Sequence, residues 1–269
     1  MHALKLFRLP PGKKVNLARI DPDFTGEFVD KIGAEAIVEA NTQKLADLQA
    51  KLYAENKRSL LVVLQGMDTS GKDGTIRHVM SGMNPLGVSV HSFKSPTHLE
   101  LDHDYLWRVH QVCPRRGEVA VFNRSHYEDV LIARVRKLAP PDEIEKRYRQ
   151  INDFERHLTE NGTVILKCFL HISKQEQKQR LVSRLKDPMK NWKFEEGDLR
   201  ERTMWNQYQH AYELALQRCG TAHAPWLVIP ANKKWFRNLT VSQAMVLTLE
   251  AMNPKIPKPR LDLKGIVVR

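Results

Sequence analysis

Residues 61–75 read LVVLQGMDTSGKDGT. An aliphatic, β-branched run stops at Gly66, and a glycine-studded loop follows that fits G-x-x-x-x-G-K from Gly66 to Lys72. A helical pattern starts at Lys72, which gives the strand–loop–helix order a phosphate-binding loop requires. Gly66, Gly71 and Gly74 let the backbone turn tightly and aim N–H groups at an anion. The helix N-terminus adds partial positive charge and Lys72 a full one. Gly71, Lys72, Asp73 and Gly74 are read as the cradle. Two acids complicate it. Asp73 stands where the usual pattern has a Ser or Thr hydroxyl for Mg²⁺, and Asp68 lies inside the loop. A bare carboxylate repels phosphate, but a divalent cation shared by the two removes the objection. Asp68 is therefore a candidate ligand for Mg²⁺ or a base close to the transferred group. Asp73, in the first helical turn, is stabilising there through the helix dipole alone.

Outward from this loop, short apolar runs alternate with longer amphipathic ones. The runs are Leu60–Leu64, Val88–Phe93, Val119–Phe122, Val164–Ile172 and Trp226–Pro230. Helical spacing covers 31–57, 72–83, 97–112, 126–136, 142–160, 174–185, 198–218 and 235–252. Buried strands alternating with helices predict an α/β fold: a five-stranded parallel sheet sandwiched by helices. Residues 1–30, broken by Pro10, Pro11 and Pro22, read as an irregular N-terminal extension. The domain then spans 31–253, and 254–269 form a basic, proline-broken, extended tail.

After the third run comes FNRSHYEDV (122–130). Residues at the carboxyl ends of parallel strands face the ligand crevice of open α/β sheets. Asn123 and Arg124 fall there, and Arg124 suits a clamp on phosphate oxygens. Glu128 and Asp129 follow within a turn, either in reach of a metal or solvated near a helix start. Lys94, Thr97 and Arg108, at the end of the second run and in the following helix, suit a nucleotide phosphate. The stretch SKQEQKQRLVSRLKDPMKNWKF (173–194) is strongly basic; Arg180 and Arg184, four apart, share a helix face. It has few compensating acids, and phosphate-loop kinases carry a mobile lid in this place, so 180–203, with Arg184 and Lys193, is read as a helical lid.

Lys and Arg number 43 against 31 Asp and Glu, a net charge of +12 over 269 residues. Such an excess speaks of an anionic partner rather than of fold. No stretch has the roughly 20 apolar residues of a membrane span. MHALKLFRLPPGKKVNLARID lacks the apolar core of a signal peptide. The scattered Cys113, Cys168 and Cys219 fit a reducing compartment, so a cytoplasmic protein is expected.

Taken in order, GMDTSGKDGT, SFKSPT, DYLWRVH, FNRSHYEDVL, LHISKQEQKQRL, DPMKNWKF and APWLVIPANKKWFRN resemble the family-2 polyphosphate kinases, from about residue 8 to about 253. The resemblance implies a P-loop kinase fold with a lid over a basic channel. It also implies Mg²⁺ and phosphoryl transfer between inorganic polyphosphate and nucleotides. It maps the family's loop acid and lysine onto Asp68 and Lys72, its second-motif arginine onto Arg124, and its lid arginine onto Arg184, with Arg180 a near alternative. Many members carry Asp where this chain has Asn123, so Glu128 or Asp129 takes over that acid's place. FNRSHYED resembles the subgroup, often called class III, that phosphorylates both nucleoside mono- and diphosphates. The expected partners are polyphosphate, AMP, ADP and ATP, and further copies of the chain in a homo-oligomer, with neither nucleic acid nor membrane. The alternative is an ATP-dependent nucleoside or nucleotide kinase of the same fold.

Overall fold

The computed structural model describes residues 2–194 and 196–262. Five strands, β1 (Ser59–Gln65), β2 (Val88–Ser92), β3 (Val119–Asn123), β4 (Thr163–His171) and β5 (Trp226–Pro230), pair in parallel in the spatial order β2-β3-β1-β4-β5. Every expected run became a strand with its ends displaced by no more than one residue. β1 is buried along its whole length, as its unbroken apolar sequence requires, whereas β2, at the sheet edge, is partly exposed. The register places Leu64 of β1 opposite Asn123 of β3 and Gln65 opposite Phe169 of β4. β1 and β3 therefore end within a residue of each other and β4 two residues beyond, so the loops that follow them face one crevice.

Around the sheet run α1 (His2–Phe7), α2 (Ile32–Glu55), α3 (Lys72–Val79), α4 (His98–Leu101), α5 (Trp107–His110), α6 (Ile132–Val135), α7 (Pro141–Glu160), α8 (Lys174–Lys186), α9 (Glu196–Thr203), α10 (Trp205–Arg218) and α11 (Lys234–Met252). This is the P-loop kinase fold, with the loop at the centre of the sheet. No helix among the described residues is long and apolar enough to cross a membrane. The three cysteines are free thiols.

Four expected helices are shorter or broken. The one from Lys72 ends at Val79. The expected helix over 97–112 is α4 and α5 around a turn: Asp104 accepts a hydrogen bond from the Leu106 N–H at 3.0 Å, which favours the turn over a continuous helix. Over 126–136, a 3₁₀ turn (His126–Asp129) precedes α6. Over 198–218, α9 and α10 are distinct.

Residues 8–30 are mostly irregular, but the N-terminal segment packs onto the domain. α1 opens the segment, and the Leu9 N–H donates to the Trp226 carbonyl at 2.9 Å beside an antiparallel bridge from Arg8 to Leu227. Val15 and Leu17 are core residues. Phe7, Phe24 and Phe28 meet Phe236 of α11, ring centroids 6.1–6.5 Å apart counting the Phe7–Phe24 pair. These anchors have no sequence period, because each is set by a partner some two hundred residues away. The tail carries no helix or strand as far as residue 262; 263–269 lie outside the described residues.

Candidate active site

The loop from Gly66 to Gly71 is built by backbone freedom and close approach. Gly66 and Gly71 sit at φ +154° and +99°. A Cβ on Gly66 would fall 2.7 Å from the Leu170 carbonyl, and one on Gly71 1.8 Å from Nη1 of Arg237. Neither space admits a side chain. Thr69, without that freedom, takes φ +60°. Lys72 opens α3 and is buried; its Nζ donates to the Gly66 carbonyl at 2.9 Å and the Met67 carbonyl at 3.4 Å. Burial and the nearby Arg124 push its ammonium down to about 8, against the opposite pull of Asp68, Glu128 and Asp73.

Arg124, just past β3, has φ +62°, and its N–H donates to the Leu64 carbonyl at 3.1 Å. Its side chain is exposed into the crevice. Burial acts against its charge, but Glu128, Tyr212 and Asp68 outweigh this and raise its pKa. Glu128 accepts from Nε2 of Gln65 at 3.1 Å, and the same nitrogen lies 3.1 Å from Oγ of Ser125. Gln65, Lys72, Arg124, Asp68 and Glu128 thus form one charged group at the ends of β1 and β3.

Asn123 and Asp73 are partners. Nδ2 of Asn123 donates to Asp73 at 2.7 Å, and Nζ of Lys193 lies 3.7 Å from the other carboxylate oxygen. Burial pushes this carboxyl up, but Asn123, Lys193 and Lys72 hold it below the ordinary range. At the position where the family resemblance implies an acid, this chain carries an amide that donates to Asp73.

Several expected site residues have structural employment. Asp129 does not join Asp68 and Glu128. It faces Arg147 at 3.6 Å, and burial lifts its carboxyl to about 6 against Arg147 and Arg108. Among the described residues no group of three His, Cys, Asp or Glu side chains is placed to hold a metal. Thr97 spends its hydroxyl capping α4: Glu100 N–H donates to it at 3.3 Å, and Glu100 answers by accepting from the Thr97 N–H at 2.7 Å. Arg108 donates to the Lys94 carbonyl at 3.0 Å, pairs with Glu100 at 3.6 Å and lies over the Phe93 ring. Lys94 itself is exposed.

The basic segment divides by function. Arg180 is not a free cation. Its five N–H groups reach Glu176 (2.7 Å) and the carbonyls of Thr69 (2.9 Å), Ser70 (3.0 Å), Ala231 (2.6 Å) and Asn232 (2.8 Å). It clamps the phosphate loop to the segment just past β5, which removes it from the anion-binding set. Arg184, one turn on, lies 3.0 Å from Asp198 and 3.8 Å from Asp68. Lys193 meets Asp73. So two lid cations face the two loop acids.

Sequence reasoning missed three supports. Gln65 is a polar residue closing an apolar strand, which is a readable signal. Gln177 donates to the Asp68 carbonyl at 3.1 Å from α8. Arg237, buried on α11, donates to the Ser70 carbonyl at 3.3 Å, and burial with nearby Arg180 pushes its pKa to about 9. Neither Gln177 nor Arg237 stands out in a chain with 43 basic residues and regular amphipathic helices.

The donor set suits a divalent cation. Among the described residues eleven buried side-chain polar atoms lack a hydrogen-bond partner, and four of them lie at the end of β1 or on the loop: Oε1 of Gln65, Oδ2 of Asp68, Oγ1 of Thr69 and Oγ of Ser70. These are hard oxygen donors of the kind Mg²⁺ takes. An ion held by one or two carboxylates plus substrate phosphates needs no three-acid cage.

The chain is similar to proteins of one family. The family described as Polyphosphate kinase 2 matches residues 29–257. An AMP/ADP-polyphosphate phosphotransferase of Meiothermus ruber is 52% identical over 268 residues, 98% of this chain and 100% of that one. An ADP-polyphosphate phosphotransferase of Rhodopseudomonas palustris is 42% identical, over 94% and 92% of the two chains. The crystal structure of polyphosphate kinase 2 from Arthrobacter aurescens TC1 superposes with a TM-score of 0.94 at 44% identity, covering 98% of this chain and 94% of that one.

Proposed function

This chain belongs to the polyphosphate kinase 2 family, and we propose that it transfers phosphoryl groups reversibly between inorganic polyphosphate and adenine nucleotides, making ADP from AMP and ATP from ADP. The observation that carries the reading is the meeting of Asp68, Lys72, Arg124, Glu128 and Arg184 in one crevice beneath a basic lid. Acceptance of both AMP and ADP rests on the Meiothermus relative, whose name gives both. A cytoplasmic, homo-oligomeric enzyme is the setting we propose for it.

Phosphoryl transfer passes through a loose transition state, so the protein's work is positioning and charge neutralisation. Lys72 leaves its loop carbonyls and turns its ammonium onto the bound phosphates. The amides of Gly71 and Gly74 and the N-terminus of α3 hold the same anion. Arg124 clamps the transferring group. Arg184 and Lys193 exchange their carboxylate partners for polyphosphate and draw the lid over it. Lys94 would hold the acceptor's phosphate, with Arg108, fixed on the Lys94 carbonyl, adding positive charge there. Mg²⁺, when bound, neutralises charge on the phosphates, and Asp68, with Glu128 nearby, holds it.

The test is purified protein with polyphosphate, Mg²⁺ and AMP alone, followed by nucleotide chromatography. ADP should appear first and ATP after it. ATP formed from added ADP with no product from AMP would restrict the enzyme to diphosphates. No product from either would remove the proposal.

A further inference from the structure

Behind Arg124 and Glu128 lies a cluster of ionisable groups that the mechanism above does not use. Glu155 of α7 and Lys167 of β4 are both 0% exposed, with Nζ to Oε2 at 2.6 Å. Lys167 spends its other donors on Oη of Tyr127 at 2.8 Å and the Cys219 carbonyl at 2.7 Å. The Tyr127 hydroxyl donates to Oε1 of Glu155 at 2.8 Å, and Nε2 of His126 lies 3.2 Å from that oxygen. The ammonium also sits 5.2 Å and 5.0 Å from the ring centroids of Tyr127 and Trp226.

Apolar side chains of the same volume often match or exceed a buried ion pair in stability, so stability alone is a weak account of this pair. And it grips two consecutive residues, His126 and Tyr127, lying between the two site residues of one short turn. Arg124 stands on one side with its backbone in the left-handed region, at φ +62°. Glu128 stands on the other. Ser125 is tied as well, accepting from the Tyr127 N–H at 3.2 Å. A turn with a strained residue keeps its shape only when its surroundings over-determine it.

We propose that Glu155 and Lys167 are positioning residues: through Tyr127 and His126 they fix the turn that aims Arg124 and Glu128 at the transferring phosphoryl group. The inference rests on the assignment of Arg124 to that group. Displacement of a catalytic group by about 1 Å costs up to a hundredfold in rate. The pair therefore acts on kcat without touching substrate.

Glu155→Gln alone strands a buried ammonium, so the informative variants are Tyr127→Phe and the neutral pair Glu155→Gln/Lys167→Met, with Arg124→Ala as the control. Melting temperature, kcat and the KM values for AMP and polyphosphate are measured for each. The neutral pair, which leaves the Cys219 carbonyl without its donor, should fold and melt a few degrees below the wild type, and kcat should fall tenfold or more in it and in Tyr127→Phe, with each KM changed less than about threefold. If the neutral pair or Tyr127→Phe keeps kcat within twofold while Arg124→Ala is inactive, the pair is structural only and the proposal falls. If Arg124→Ala itself turns over normally, the assignment it rests on falls first. Should the neutral pair not fold, Tyr127→Phe decides by the same criterion.

Discussion

At Lys72 the loop's chemistry and the protein's stability pull in opposite directions. The free site holds this ammonium among carbonyls, with Arg124 beside it, and its pKa drops from 10.5 to about 8. Above pH 8 the folded site begins to lose the charge that polyphosphate needs. The kcat/KM for polyphosphate, which reports the free enzyme, should therefore fall as pH rises through about 8, whereas kcat should not, because bound phosphate restores the proton. Stability moves the other way. Between about 8 and 10.5 the unfolded chain holds this proton more firmly than the folded one, so this group's contribution to stability increases with pH. In Lys72→Met that gain is absent. The melting-temperature advantage of Lys72→Met over wild type should accordingly shrink from pH 7 to pH 10, and a constant difference would contradict the buried, depressed lysine. Asp68 is the other informative residue. Asp68→Asn removes a charge from the cradle at nearly constant shape. Turnover should be lost across a Mg²⁺ titration, while calorimetry without metal should show polyphosphate bound as tightly as before or more so. Two like charges at 4 Å repel by roughly 4 kcal/mol at an effective dielectric of 20, and the substitution relieves that repulsion. Normal turnover, or much weaker metal-free binding, would make Asp68 a structural loop residue.

Among elements, the strands were legible and the supports were not. β1 through β5 declare themselves because each is a short apolar run bounded by turn residues. The loop declares itself because its glycines follow such a run. Helix ends were read less well: nothing in the spacing of 97–112 shows that Asp104 would cap a turn. Arg180 and Arg184 illustrate the limit. Four residues apart in one basic helix they look equivalent, yet only the long-range partners at Thr69, Ser70, Ala231 and Asn232 show that Arg180 is a clamp. The two should respond differently to truncation. Arg180→Ala leaves four backbone carbonyls short of a donor and should cost about 2–4 kcal/mol, seen as a fall of at least about 5 °C in melting temperature. Arg184→Ala, 20% exposed with its partners on the lid and loop, should leave melting within a few degrees and weaken polyphosphate binding instead. Equal melting losses in the two variants would contradict this division.

The whole molecule carries +12, and in the lid segment Arg184, Lys190 and Lys193 each pair with an acid whose place a polyanion would take. A polymer with a charge on every phosphate releases counterions when it binds such a track, so affinity should fall steeply with salt. The fold by itself serves phosphoryl donors of several kinds, ATP included; the track is what points to polyphosphate as the donor. That claim is tested most directly by tracing the phosphoryl group. Uniformly ³²P-labelled polyphosphate and unlabelled AMP are incubated with the purified protein and Mg²⁺, and in parallel γ-³²P-ATP replaces the polyphosphate. Label passing from polyphosphate into the β-phosphate of ADP, faster than from ATP at equal concentration of donor groups, is the predicted result. Label passing from ATP into ADP with none from polyphosphate would make the protein an ATP-dependent nucleotide kinase and contradict the account.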